Sequence, residues 1–257
     1  MSDEVLQIRI QGDASLPALI YLPGLHGDWT LVASFRRAVG GRVRFVEFTY
    51  PRSLTWSLED YADAIEAKLL EHGITRGWLL GESYGSQIVW PLSRAGRKFC
   101  TEGIILAGGF VKHPFRWGVC RARDFCHGVS LSWLTRLLFF YGKVARFRHR
   151  QAPETMAGIQ EFIARRTELD KEAATHRLRL IAANDPRELA RGVAAPVYFL
   201  SGLFDPIVPW PWVRWWLKRH CAACRDTKII WRADHTVLAT APGEAAKQVW
   251  EWMGLGE

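Results

Sequence analysis

The sequence predicts an α/β protein with a mostly parallel sheet that is covered by helices on both faces. Seven short runs rich in β-branched and aromatic residues alternate with stretches of helical periodicity. Several of these runs are almost continuously apolar, which is typical of strands that are buried on both faces of a sheet. Repetition of strand, helix and strand favours parallel pairing between successive strands.

The strand candidates are separated by enough residues to hold a helix between most neighbours. They cover residues 5–10, 18–22, 42–48, 77–82, 103–109, 196–202 and 227–233. Helices are expected over about 29–39, 58–72, 84–97, 211–222 and 243–253. Two helix starts are marked clearly, because Asp28 is an N-cap residue and Ser57 with Asp60 has the spacing of a capping box.

The alternation is interrupted once, between the fifth and sixth strand candidates. More than 80 residues there have helical patterns and no convincing strand. We expect them to form a helical cap over the carboxyl edge of the sheet, which is the edge where ligands bind in open α/β sheets. The predicted division is a core of residues 1–110 and 190–257 with a cap of residues 111–189.

The net charge of +8 comes entirely from residues 111–150, which hold nine Lys and Arg side chains against Asp124. Much of this charge lies in an amphipathic segment, residues 130–150. Three interpretations stay open: a cap helix with a solvated basic face, a lid that contacts an anionic membrane surface, or a basic pocket mouth that attracts anionic substrates. Nucleic acid is not an expected partner, because no nucleic-acid-binding motif accompanies the charge.

The five cysteines are odd in number, and the N-terminus is acidic without a long apolar stretch. This combination predicts reduced thiols in a cytoplasmic protein with no signal peptide and no membrane span. Cys221 and Cys224 form a C-x-x-C pair, but no second pair has the spacing of a structural zinc site. We therefore expect no metal and no cofactor, and the oligomeric state stays open.

A candidate nucleophile lies where the fourth strand candidate ends. In "GWLLGESYGSQIVW", Ser83 is placed between a buried strand and a helix, and Gly81 and Gly85 leave space where the two pass closest. This strand–turn–helix is the context of a nucleophile elbow, which presents a serine hydroxyl at the top of a sheet. The helix N-terminus directs partial positive charge at the same place.

A serine hydroxyl needs a base, and the base needs an acid that orients it. Asp205 follows the sixth strand candidate, and His235 follows the seventh. Both therefore lie beyond the carboxyl ends of strands, and Ser83, Asp205 and His235 have the chain order expected of a nucleophile, an acid and a histidine. We predict that these three residues form a catalytic triad.

Four segments carry a resemblance to a known family: "YLPGLHGDW", "GESYGS", "SGLFDPIVP" and "ADHTVL". They are spread over nearly the whole chain outside the insertion. The chain resembles the capped serine esterases and lipases of the α/β-hydrolase superfamily, and the resemblance implies the α/β-hydrolase fold. Related dehalogenases and epoxide hydrolases have aspartate at the elbow, so Ser83 argues against both activities.

The resemblance also implies an oxyanion hole made of two backbone N–H groups. One is that of Tyr84, the residue after the nucleophile. The other belongs to Leu25 if Pro23-Gly24 replaces the family's His-Gly, or to Asp28 if His26-Gly27 does. Leu25 is preferred, because Pro23-Gly24 follows the strand directly and a carboxylate would repel the oxyanion.

The substrate pocket is expected to include His26 from the same loop and Trp133 and Phe139 from the cap. The predicted function is cleavage of a carboxylic ester of a small or acyl-chain substrate through an acyl-enzyme. A thioesterase or an amidase or peptidase has the same machinery, and a catalytically silent small-molecule binding protein is the alternative of another class.

Overall fold

The structure, a computed structural model, describes residues 5–130, 132–133, 136, 163 and 166–256. Its sheet has seven strands in the order β1-β3-β2-β4-β5-β6-β7. The strands are β1 (Gln7–Gln11), β2 (Ala18–Leu22), β3 (Arg44–Thr49), β4 (Arg76–Glu82), β5 (Cys100–Ala107), β6 (Val197–Gly202) and β7 (Cys224–Ile230). Only β1 is antiparallel to its neighbour, so the prediction of a mostly parallel sheet is confirmed.

Helices connect the parallel strands within the described residues. They are α1 (Ala33–Val39), α2 (Leu58–Glu71), α3 (Gly85–Leu92), α4 (Arg116–Gly128), α5 (Glu168–Ala183), α6 (Arg187–Gly192), α7 (Trp210–His220), α8 (Val237–Thr240) and α9 (Pro242–Trp252). A short 3-10 turn, Thr30–Val32, precedes α1. None of the described helices is long and apolar enough to cross a membrane.

The core has two layers, one on each face of the sheet. Strand β2 is buried along its whole length, and its side chains alternate between the layers: Ile20 and Leu22 pack on one face, Leu19 and Tyr21 on the other. The first layer is completed by α2, α3 and α7, and the second by α1, α8 and α9. A sheet covered on both faces explains the nearly continuous apolar runs of its strands.

The start of α2 matches the prediction, whereas the end of α3 does not. The capping box of α2 is present, since the Ser57 hydroxyl accepts from the Asp60 N–H and the Asp60 carboxylate accepts from the Ser57 N–H. Helix α3 ends at Leu92 rather than at residue 97. Pro91 lies in its last turn and cannot donate to the Gln87 carbonyl, and the hydrogen bond from the Ser93 N–H to the Val89 carbonyl at 2.8 Å closes the helix.

The region between β5 and β6 contains α4, α5 and α6 and no strand among its described residues. Helices α4 and α5 pack against each other. Most of residues 130–150, including Phe139, lie outside the described residues. The boundaries 111 and 189 of the cap therefore stay a prediction.

The register of the parallel strands brings their carboxyl ends to one edge. Glu82 at the end of β4 is paired with Ala107 at the end of β5, and Gly202 of β6 is paired with Ile230 of β7. The loops that follow β2, β4, β5, β6 and β7 consequently meet at this edge.

Candidate active site

Ser83 occupies a sharp turn between β4 and α3. Its φ is 48°, and no other described non-glycine residue has a positive φ. The Ser83 N–H donates to the Ala107 carbonyl, and the Ser83 carbonyl accepts from the Ser86 N–H, both at 3.0 Å. These bonds hold a backbone conformation that L-residues rarely adopt and that costs about 1–3 kcal/mol.

The turn depends on a close approach between α3 and β2. A Cβ atom at Gly85 would lie 2.1 Å from the Leu22 carbonyl oxygen, and one at Gly81 would lie 2.7 Å from Cγ2 of Val89. Both glycines are therefore required by packing, which is the role that the sequence assigned to them.

The structure brings the three predicted triad residues together. Nε2 of His235 is 2.8 Å from the Ser83 hydroxyl oxygen, and Nδ1 of His235 is 2.9 Å from a carboxylate oxygen of Asp205. A carboxylate only accepts, so Nδ1 carries the proton and Nε2 accepts from the Ser83 hydroxyl. This is the arrangement in which His235 can take the serine proton.

The Asp205 carboxylate is held rigidly beneath the histidine. Its side chain is fully buried. The oxygen that does not face His235 accepts from the N–H groups of Ile207 and Val208, both at 2.8 Å. Three hydrogen bonds orient the carboxylate and compensate for the cost of burying its charge.

Both residues of the predicted oxyanion hole are adjacent to Ser83. Tyr84 has helical torsion angles at the start of α3, so its N–H points out of the helix N-terminus. A Cβ atom at Gly24 would lie 3.5 Å from Cβ of Ser83, which places the loop after β2 against the nucleophile. Leu25, the next residue of that loop, lines the same cavity as Ser83.

The side chain of the alternative residue, Asp28, is directed away from Ser83. Its carboxylate accepts from Arg166 at 2.8 Å and from the Thr30 N–H at 2.9 Å. Burial alone would raise the pKa of Asp28, but His26 and Arg166 lower it, so the carboxylate is charged. Asp28 lines a neighbouring cavity of about 220 Å³ and not the one that contains Ser83.

Behind the loop lies Arg177 of α5, a residue that the sequence analysis missed. Its guanidinium donates to the Leu25 carbonyl at 2.9 Å and to the Pro51 carbonyl at 3.2 Å. It also lies over the Tyr50 ring, 5.5 Å from the centroid. The side chain is 3% exposed and, within the described residues, has no carboxylate partner. A buried cation of this kind fixes the direction of the peptide between Leu25 and His26, which directly follows the peptide that carries the Leu25 N–H.

Glu82, next to the nucleophile, is a second residue that the sequence analysis missed. Its buried carboxylate accepts a hydrogen bond from the Tyr21 hydroxyl and lines the Ser83 cavity. Burial and the Glu82 charge raise the pKa of Tyr21 well above its usual value, so the phenol stays a donor.

Ser83 opens into a cavity of about 700 Å³ whose lining is mainly apolar. The apolar side chains of the lining include Phe110, Phe115, Trp117, Val119, Leu178, Ile181 and Ile207. His26 also lines the cavity, as expected, and burial lowers the pKa of its imidazole. Trp133 is not among the described residues that line it, and its side chain is 55% exposed beyond the end of α4.

A further histidine, His113, lies at the edge of this cavity. Its Nδ1 accepts from the Phe115 N–H at 3.1 Å, and its ring packs edge-on against Phe110. Burial and the nearby His235 lower the pKa of His113, which keeps the ring neutral.

Comparison with known proteins agrees with this fold. The model of the "Alpha/beta hydrolase family" matches residues 19–248. An enol-lactonase from Burkholderia xenovorans has a TM-score of 0.78 at 18% identity, over 97% of this chain and 96% of that one. A thermophilic esterase from Thermogutta terrifontis has a TM-score of 0.74 at 19% identity, over 97% and 93%.

One curated relative matches a part of the sequence. It is the 2-succinyl-6-hydroxy-2,4-cyclohexadiene-1-carboxylate synthase of Serratia proteamaculans, which is 32% identical over 119 residues. The match spans 42% of this chain and 44% of that protein. The family match, in contrast, extends from β2 to α9. The chain therefore belongs to the alpha/beta hydrolase family.

Proposed function

We propose that the protein is a serine hydrolase that cleaves carboxylic esters through an acyl-enzyme intermediate. The observation that carries the proposal is the hydrogen-bonded series of Ser83, His235 and Asp205 at the base of an apolar cavity. Nucleophile, base and orienting acid are within the distances that proton transfer requires.

Acylation starts from the hydrogen bond between Ser83 and His235. The Ser83 oxygen attacks the ester carbon while its proton passes to Nε2 of His235. The carbonyl oxygen becomes an oxyanion that the N–H groups of Leu25 and Tyr84 bind. Asp205 stabilises the imidazolium, which then protonates the leaving alcohol as the bond between carbon and the leaving oxygen breaks.

Deacylation repeats these steps with water in place of the serine. His235 takes a proton from water, and the resulting oxygen attacks the acyl carbon. The proton returns to the Ser83 oxygen as the acyl group leaves as a carboxylic acid. No redox step is needed, since water is the only co-reactant.

The cavity supports an apolar acyl group as the substrate part that is bound. Phe110, Val119 and Ile181 offer it no hydrogen bonds, and a buried charged group there would be destabilised. Lactones are internal esters, and the Burkholderia neighbour is an enol-lactonase. A lactone therefore belongs among the test substrates.

The same residues would also attack thioesters and amides, so a thioesterase or an amidase or peptidase is the alternative of the same chemistry. A silent binding protein is the alternative of another class. It does not require an oriented serine–histidine pair.

The test is a panel of p-nitrophenyl esters of increasing acyl length, a lactone, acyl thioesters and aminoacyl anilides. We expect esters with apolar acyl groups to have the highest kcat/KM. Ser83→Ala should lower kcat by at least about 10³-fold. Ser93→Ala, outside the cavity, is the matched control and should keep its activity.

Each contrary result has a distinct meaning. Activity that survives Ser83→Ala would contradict the assignment of the nucleophile. Cleavage of thioesters or anilides alone would exclude the ester hydrolase. Absence of turnover with every class would leave only the binding protein.

A further inference from the structure

The outer face of α7 combines aromatic and basic side chains and contains no acid. Trp212 and Trp215 are 62% and 57% exposed, although large apolar side chains usually pack inwards. Arg214, Lys218 and Arg219 are exposed on the same helix. Its inward side is closed by Leu217 and Val213, so the exposed tryptophans are not needed for packing against the sheet.

A second surface of this kind lies on α4 and the residue before it. Trp117 is 75% exposed and Phe115 58%. The guanidinium of Arg121 lies over the Trp117 ring, 5.5 Å from its centroid, and Arg116 is exposed beside them. The face of a soluble helix that points to solvent normally carries polar side chains instead.

The two surfaces are continuous and border the mouth of the Ser83 cavity. A groove of about 300 Å³ is lined by Arg116, Trp212, Trp215 and His113. His113 also lines the Ser83 cavity. The combined surface, named here the basic aromatic surface, consists of Phe115, Arg116, Trp117, Arg121, Trp212, Arg214, Trp215, Lys218 and Arg219.

Two acids near this surface, Asp124 and Asp185, are already neutralised by other cations. Asp124 forms an ion pair with Arg123 at 2.6 Å. Asp185 pairs with both Lys112 and Arg187, and hydrogen bonding from Arg187 holds the pKa of Asp185 well below its usual range. Among the described residues, the five cations of the basic aromatic surface have no carboxylate partner.

We propose that the basic aromatic surface binds an anionic membrane surface. Tryptophan side chains prefer the boundary between water and hydrocarbon, and exposed Lys and Arg side chains bind anionic headgroups. The positive charge of the surface favours a membrane over a second copy of the chain as the partner. A symmetric dimer would place the same cations of both copies against each other. Nucleic acid would satisfy the cations but would not use tryptophans that are spread over two helices.

The basic aromatic surface overlaps the lining of the Ser83 cavity. Phe115 and Trp117 belong both to the exposed surface and to the lining of the cavity. An apolar acyl substrate would therefore pass from a bilayer to Ser83 without crossing water. This route rests on the proposed function, whereas membrane binding itself does not.

The test is co-sedimentation of the full chain with phosphatidylcholine vesicles that either contain or lack phosphatidylglycerol. We expect binding to the anionic vesicles that weakens as salt is added. Lys218→Glu should lower the affinity about tenfold or more, because each charge near the surface contributes about fivefold. Lys98→Glu is the matched control. Lys98 is exposed just before β5 and is not part of the basic aromatic surface, so this change should leave binding intact.

Two further variants separate the contributions. Trp212→Ser with Trp215→Ser should reduce the part of the binding that survives high salt. Ser83→Ala should bind like the wild type, so failure of the proposed function and failure of the membrane proposal can be told apart.

Several results would overturn the proposal. They are no binding to anionic vesicles, equal binding to neutral ones, and equal losses with Lys218→Glu and Lys98→Glu. Self-association in solution that is abolished by the tryptophan substitutions, without vesicle binding, would assign the surface to a second copy. Salt-sensitive binding to duplex DNA without vesicle binding would assign it to nucleic acid.

Discussion

Arg177 offers the sharpest test of how the oxyanion loop is held, because it contacts the loop from behind and touches neither Ser83 nor the cavity. Arg177→Met keeps an unbranched apolar side chain of similar length and removes both hydrogen bonds. A hydrogen bond from a charged donor contributes about 1.5–3 kcal/mol. Relief of the buried charge offsets part of this, so the free energy of unfolding should fall by about 2–4 kcal/mol.

The effect on catalysis follows from the Leu25 peptide. Without Arg177, the peptide between Leu25 and His26 is free to rotate about the Leu25 Cα. The Leu25 N–H, which belongs to the preceding peptide, then shifts from the position where the oxyanion forms. Loss of one such donor costs about 10²–10³ in kcat. We expect kcat on the best ester of the panel to fall about 100-fold, with KM changed less than about threefold, since ground-state binding does not use this group.

The assay pairs steady-state kinetics with urea unfolding. Arg177→Lys should recover part of kcat, because an ammonium group can donate to Leu25 but not to both carbonyls in fork geometry. Arg179→Met, an exposed arginine of the same helix, is the control and should change neither quantity. A large fall in stability with an unchanged kcat would show that Arg177 only supports the fold, and the reasoning about Leu25 would be refuted.

Three further expectations follow from the site. Gly85→Ala places a Cβ 2.1 Å from the Leu22 carbonyl and should destabilise the protein by about 3 kcal/mol in urea unfolding, whereas Gly128→Ala, with nothing within 4 Å, should be neutral. Asp205→Asn should lower kcat by about 10³–10⁴ near pH 7, measured on the same esters, because the amide favours the wrong tautomer of the histidine. Because the pKa of His113 is lowered in the folded protein, the unfolded chain binds more protons in mild acid. The contribution of the neutral His113 ring to stability is therefore present above about pH 6.5 and is lost as the pH falls further. His113→Gln should therefore reduce the difference in melting temperature between about pH 7.5 and about pH 5.5.

Contrary results would be equally specific. Equal stability of the Gly85 and Gly128 variants would contradict the close approach of α3 and β2. Full activity of Asp205→Asn would remove Asp205 from the proposed triad. An unchanged pH dependence in His113→Gln would show that another group, such as His26, accounts for it.

The elements and residues that follow local rules could be predicted from the sequence. Strand β2 and the capping box of α2 are found where their patterns place them. The grouping of Ser83, Asp205 and His235 could be anticipated because parallel strands bring their carboxyl ends to one edge. Strand β5, by contrast, starts at Cys100 and not at residue 103, since pairing with Arg76 of β4 extends it.

Residues that act through long-range contacts could not be found in this way. Arg177 occupies an apolar stripe of α5, between buried Ala173 and Ile181 at helical spacing. A basic residue in such a stripe is a local signal, but its partners, Leu25 and Pro51, are distant in sequence. Trp133 shows the reverse case, because its aromatic character suggested a pocket residue and the side chain is exposed.

The central claim is that Ser83 is a nucleophile activated by His235, and covalent labelling tests it most directly. The folded protein is incubated with a fluorophosphonate, and its intact mass is measured before and after digestion into peptides. The wild type should gain one phosphonyl group that maps to Ser83, and Ser83→Ala should gain none. An unlabelled wild type, or an adduct of the same yield on Ser83→Ala, would contradict the claim.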